Sequence, residues 1–182
     1  MKTIGIKLAD GSFYPILNEG TPDKKTLDLT TAKDNQTTVM VDLYRSETGT
    51  MEDAEYVVIG FGTAGRIALS AVRAAREQGH KIGLLRPISL SPFPTKAVDE
   101  LADRVKGFLV VEMSNGQMLD DITSIVARRV PVEFYGRMGG MVPYPDEIAS
   151  AINDLVQGEH DVNVDARGKW LAKMRELVGT GE

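Results

Sequence analysis

Four short, predominantly apolar runs, at residues 56–60, 82–85, 108–112 and 132–135, each followed by a helix-period pattern, constrain this chain more than any other feature. Such runs do not alternate polar and apolar positions, so both faces of each strand need cover, as in a parallel sheet flanked by helices. The helical patterns supply that cover. Residues 64–78 put Ile67, Ala68, Ala71, Val72 and Ala75 on one face and stop at Gly79, which suits a left-handed C-cap. Thr95 is placed to cap a helix carrying Val98, Leu101, Ala102 and Val105 that ends at Gly107. Met118, Leu119, Ile122, Ile125 and Val126 form a third stripe, and Asp146 is placed to cap a fourth with Ile148, Ala149, Ile152 and Val156. The expected fold is α/β, four strand–helix repeats that form one parallel sheet with right-handed crossovers.

The flanks read differently. Residues 1–50 are β-rich: 11–17 make a short strand with an edge-type Pro15, and 37–47 alternate with Val39, Val41 and Leu43 on one face. Residues 19–23 and 33–35 carry turn chemistry. Residues 51–157 form the α/β domain. Residues 158–182 are a polar link and a terminal helix over 165–178, with Trp170, Met174, Leu177 and Val178 at near-helical spacing; a helix of that length needs a surface to pack on.

Composition narrows the chemistry. The chain of 182 residues has no cysteine, which excludes disulfides, a thiol nucleophile and thiolate-ligated zinc or iron–sulfur clusters held by this chain. A net charge of −5 gives no general attraction to nucleic acid or to an anionic membrane. No apolar run is long enough to cross a bilayer, and Lys2, Lys7 and Asp10 break up any export-like start, so a cytoplasmic location is expected.

Gly60-Phe-Gly-Thr-Ala-Gly65 fits a G-x-G-x-x-G loop between a strand and a helix. Gly60, Gly62 and Gly65 are therefore cofactor-binding candidates, with Arg86 standing where a ribose-binding carboxylate is usual and able to meet a 2′-phosphate. The alternative is that these glycines allow tight strand–helix packing. Ligands of parallel sheets bind at the carboxyl ends of the strands, where Glu112, Asn115, Gln117 and Arg137 offer hydrogen bonds and a cation as a partner or ligand rim. No nucleophile–base pair is visible, so no catalytic residue is assigned. Asp99, Asp103, Asp120 and Asp121 read as exposed helix faces rather than metal ligands, and His80 and His160 as solvated histidines.

Residues 51–155 resemble the second domain of the α subunit of 2-oxoacid:ferredoxin oxidoreductases of the 2-oxoisovalerate and 2-oxoglutarate type. The resemblance rests on Glu52-Asp-Ala-Glu-Tyr-Val-Val-Ile-Gly-Phe-Gly62, Gly83-Leu-Leu-Arg-Pro-Ile-Ser-Leu-Ser-Pro-Phe-Pro94, Phe108-Leu-Val-Val-Glu-Met-Ser-Asn-Gly-Gln-Met118 and Val132-Glu-Phe-Tyr-Gly-Arg-Met-Gly-Gly140. It implies a transketolase C-terminal-like fold, a three-layer α/β/α sandwich with a mostly parallel sheet in which one antiparallel strand precedes the parallel ones, a place for residues 39–47. It also implies a parent complex containing thiamine diphosphate and iron–sulfur clusters, neither bound by this chain alone. Residues 4–47 resemble the start of the peptide-binding β-domain of the seventy-kilodalton heat-shock chaperones, through Asp28-Leu-Thr-Thr-Ala-Lys-Asp-Asn-Gln-Thr-Thr-Val-Met-Val-Asp-Leu-Tyr44, and imply peptide contacts at Phe13, Leu29 and Ala32. The chain thus reads as a fusion, or chimera, of two family fragments.

Three functions follow as expectations. The first is a non-catalytic domain or subunit fragment of a 2-oxoacid:ferredoxin oxidoreductase, supporting assembly with other subunits or by self-association and incomplete as an enzyme alone. The second is a chaperone-like peptide or protein interaction module. The third is a dinucleotide-binding module built on the glycine loop.

Overall fold

A computed structural model describes residues 2–7, 13–18, 43–47, 51 and 53–179. The chain divides into two compact units, Met1–Thr50 and Met51–Glu182. The first contains strands β1 (Lys2–Lys7), β2 (Phe13–Asn18) and β3 (Leu43–Glu47), in the antiparallel order β2-β1-β3. Two expectations change here. The sequence pattern missed β1, and β3 pairs with β1 (Ile4 opposite Arg45) instead of adding an antiparallel strand to the parallel sheet. The proposed turns at 19–23 and 33–35 and the strand positions 39–42 lie outside the described residues.

The second unit has the expected α/β form. Strands β4 (Tyr56–Gly60), β5 (Ile82–Leu85), β6 (Gly107–Glu112) and β7 (Val132–Gly136) make one fully parallel sheet in the order β5-β4-β6-β7. Period-two alternation sorts their side chains between two cores. Val57, Ile59, Phe108, Val110 and Phe134 face one side, where they meet helices α2 (Thr95–Ala102) and α3 (Gln117–Val126). Val58, Leu109, Val111 and Tyr135 face the other, against α1 (Gly62–Glu77) and α4 (Pro145–Gln157). Ile59, Phe108, Ile122 and Ile148 are fully buried, each worth roughly 1.5–3 kcal/mol relative to exposure.

The helix ends show local physics at work. Gly79 adopts φ +92° just beyond α1, as a left-handed terminus requires. Thr95 is not a cap but the first helical residue after Pro94, and α2 ends at Ala102, five residues before Gly107. Val105 keeps its buried apolar position in the turn that follows, which is why the pattern ran on. Asp146 does not cap α4 either. Pro145 takes the first helical position it favours, so the cap falls on Tyr144, whose amide donates to Glu147 Oε2 at 2.9 Å.

Helix α5 (Ala166–Gly179) belongs to the second unit. Asp165 Oδ1 accepts the Arg167 amide at its start, and Trp170 packs edge-on against Phe134 with ring centroids 5.1 Å apart. Arg167 fastens it to α3 by donating to the Gly116 carbonyl (2.7 Å) and Asp120 Oδ1 (2.6 Å). Among the described residues no helix is long and apolar enough to cross a membrane.

Candidate functional site

The strand order fixes where a site can lie. The chain steps from β4 to β5 in one direction and from β5 past β4 to β6 in the other, so the loops leaving β4 and β6 part toward opposite faces at their carboxyl ends, the switch point at which sheets of this kind bind ligands in a crevice. The loops along this rim are residue 61, residues 86–94, 113–116 and 137–144. Ten large apolar side chains are exposed among the described residues, and eight stand in these loops: Phe61, Ile88, Leu90, Met113, Met138, Met141, Val142 and Tyr144.

The rim residues read from sequence divide by what holds them. Gly60 and Gly65 face one another: a Cβ on Gly65 would stand 2.3 Å from the Gly60 carbonyl oxygen, and one on Gly60 would stand 2.9 Å from the Gly65 Cα. Arg86 is exposed and lays its Nε 3.1 Å from the same Cβ position on Gly65. Gly62 opens α1 at φ +56° with space around it. Glu112 ends β6 buried, not presented to the crevice. Its Oε2 accepts the Ser114 hydroxyl (2.7 Å) and the Met118 amide (3.1 Å), and its Oε1 accepts the Leu119 amide at 2.8 Å. A side chain of the protein itself therefore fills the anion position at the start of α3. Asn115 and Gln117 remain exposed beside it. Phe13 begins β2, but its side chain, like Leu29 and Ala32, lies outside the described residues.

Arg137 belongs to a network that sequence reasoning missed. Its guanidinium donates to Glu147 and, through Nε, to the Tyr135 hydroxyl at 3.0 Å, and it lies 5.8 Å above the Tyr135 ring centroid. The Tyr135 hydroxyl donates to Glu147 Oε2 at 2.5 Å. Burial and then the Glu147 carboxylate push the Tyr135 phenol well above its ordinary range. Burial works to raise Glu147, but donors from Tyr135, the Tyr144 amide and Arg137 outweigh it and hold the carboxyl below its ordinary value. A carboxyl lower in the folded than in the unfolded state stabilises at neutral pH, and that contribution fades as pH falls through the acid range below roughly 4. Glu147→Gln is accordingly expected to cost about 1–2 kcal/mol at pH 7 and much less near pH 3.5 in urea melts. A deficit unchanged by pH would contradict the assignment. The sequence signal was the spacing of Glu147 three residues after the helix boundary.

A family model for pyruvate:ferredoxin oxidoreductase core domain II matches residues 54–148. The chain belongs to this family. Ketoisovalerate oxidoreductase subunit VorB of Methanothermobacter marburgensis is 43% identical over 117 residues, 64% of this chain and 33% of that subunit. The 2-oxoglutarate synthase subunit KorA of the same organism is 34% identical over 104 residues, 57% of this chain and 28% of that subunit. A solved 2-oxoglutarate:ferredoxin oxidoreductase from Magnetococcus marinus, with 2-oxoglutarate, coenzyme A and succinyl-CoA bound, superposes with TM-score 0.48 at 20% identity over 58% of this chain and 18% of that one. The chain spans about a third of the length of the curated relatives it matches.

Iron–sulfur clusters, which the resemblance implies for a parent complex, find no thiolate ligand in this chain. No three His, Cys, Asp or Glu stand together as metal ligands among the described residues. The anion position of α3 is filled by Glu112, and a chain without cysteine cannot ligate a cluster through thiolates. The acidic pairs hold arginines instead: Asp99 and Asp103 grip Arg129 at 2.5 and 2.6 Å.

His160 corrects the reading of a solvated tail histidine. Its side chain is 8% exposed, with Nδ1 2.8 Å from Glu133 Oε1 and Nε2 2.7 Å from the Leu155 carbonyl oxygen. The carbonyl can only accept, so Nε2 carries a hydrogen. Lys169 Nζ reaches the same Glu133 oxygen at 2.7 Å, and the cluster ties residue 160 and α5 to β7 and α4.

Proposed function

We propose that this chain is the core-domain-II portion of a 2-oxoacid:ferredoxin oxidoreductase of the ketoisovalerate or 2-oxoglutarate type, and that its part is assembly. The strand-end rim docks other subunits, and the chemistry belongs to them. The concentration on the four strand-end loops of eight of the ten exposed large apolar side chains among the described residues carries this reading, because exposed apolar groups gathered in this way mark an association face. The relatives, described as subunits VorB and KorA, support it.

The test is co-expression of the tagged full chain with the subunits of a ketoisovalerate oxidoreductase. Wild type is expected to co-purify with at least one of them, and Ile88→Asp and Met141→Asp to lose it. The purified chain alone, given thiamine diphosphate, is expected to show no 2-oxoacid-dependent dye reduction. Turnover by the isolated chain, or failure to capture any subunit, would overturn the proposal.

A further inference from the structure

The rim is not electrically uniform. Its loops, residue 61 with 86–94, 113–116 and 137–144, contain Arg86 and Arg137 and no carboxylate other than those brought by the helices that follow, although the whole chain carries −5. At the β7 end the charges cancel locally, since Arg137 is held by Glu147. Asp120, in the first turn of α3, is likewise held by Arg167. At the β4 and β5 end they do not cancel. Arg66 in the first turns of α1 and Arg86 after β5 are both exposed, and among the described residues neither meets a carboxylate. Arg86 lies against Gly65, the residue next to Arg66. The loops that leave β4 and β5 also carry the exposed Phe61, Ile88 and Leu90, with Ile88 77% exposed.

From this juxtaposition we infer that the β4–β5 half of the rim binds a protein segment in which carboxylates flank large apolar side chains. The inference rests on the reading of the rim as the assembly face and names the chemistry of what it receives. Apolar contact supplies the area and the two arginines supply selectivity, because an unpaired guanidinium at an interface gains most from a carboxylate, which it can bind in bidentate fashion. A second copy fits poorly. A two-fold contact through this half would set Arg66 and Arg86 against their own counterparts, and like charges at an interface are strongly disfavoured. Nucleic acid would satisfy the arginines, but the net negative charge of the chain opposes it.

The full chain can be tested with two immobilised synthetic peptides, one alternating Glu with Phe and Leu, the other with Lys in place of Glu. Retention on the acidic peptide at 50 mM salt is expected, at least tenfold stronger than on the lysine peptide. It should fall at least tenfold at 0.5 M salt and at least tenfold in Arg66→Glu/Arg86→Glu. Both positions are exposed, and unchanged circular dichroism would show that the variant folds; Arg66→Gln/Arg86→Gln, with an intermediate loss, serves as the milder second variant. Equal retention on the two peptides, no retention on the acidic one, binding of single-stranded DNA in its place, or a homodimer in light scattering that Ile88→Asp dissolves would each overturn the inference. Capture of an oxidoreductase subunit that is insensitive to salt and to the charge reversal would leave the assembly reading standing while overturning this one.

Discussion

Glu112→Ala is expected to lower the stability of the second unit by roughly 2–5 kcal/mol, a large part of the 5–15 kcal/mol that an ordinary domain possesses. The reason lies in what the carboxylate satisfies. The amides of Met118 and Leu119 are buried donors at the start of α3, where a helix has no carbonyls of its own to offer them, and both donate to Glu112. Alanine leaves two buried donors unpaired, along with the Ser114 hydroxyl. Glu112→Gln keeps one accepting oxygen but turns an NH₂ toward a donor, so an intermediate loss of about 1–2 kcal/mol is expected. Urea unfolding followed through Trp170, the one tryptophan of the chain, reads both variants, and far-UV circular dichroism reports whether α3 survives. If Glu112 were instead a rim group held for a ligand, the alanine variant would melt within about 0.5 kcal/mol of wild type, as surface substitutions do.

That contrast shows where the sequence was readable. The parallel strands were legible because residues buried on both faces must be continuously apolar, and helices α1, α3 and α4 because their stripes repeat every three to four residues. Strand β1 was not: Lys-Thr-Ile-Gly-Ile-Lys has charged ends and a central glycine, and gives little sign that it lies between two other strands. The rim was legible as a place, since the loops between strand and helix patterns must gather at one edge of a parallel sheet. The roles of its residues were not. Glu112 ends an apolar run with polar neighbours after it, which looks like a presented acceptor; only the folded path of residues 113–117 returns two amides to it. His160 sits among Gly158, Glu159 and Asp161 and reads as tail, yet its partners Glu133 and the Leu155 carbonyl come from a strand and a helix that local sequence cannot place beside it. Side chains that serve long-range hydrogen bonds carry no period, and that is the information a pattern lacks.

The glycine loop gives the sharpest separation between packing and ligand binding. Gly65→Ala is expected to cost 3 kcal/mol or more, because the new methyl would lie 2.3 Å from the Gly60 carbonyl oxygen and 2.9 Å from its carbon, both backbone atoms of a buried strand that cannot swing away. Gly60→Ala meets the Gly65 Cα at 2.9 Å and is expected to cost somewhat less. Gly62→Ala meets nothing within 4 Å and pays only for φ +56°, on the order of 1 kcal/mol. Packing therefore orders the losses as Gly65, then Gly60, then Gly62, measured as shifts in the urea midpoint at constant slope. A loop whose glycines serve a bound phosphate would give another order, with Gly65→Ala folding near the wild-type midpoint and Gly62→Ala losing saturable quenching of Trp170 by a reduced dinucleotide. Two glycines in close contact hold α1 against β4, and Arg86, from the loop after the neighbouring strand, lays its Nε beside Gly65. The same tight contact that makes Gly65 irreplaceable thereby sets a guanidinium at the mouth of the rim, so a Gly65 variant rescued by compensating changes should still be checked for its binding of acidic segments.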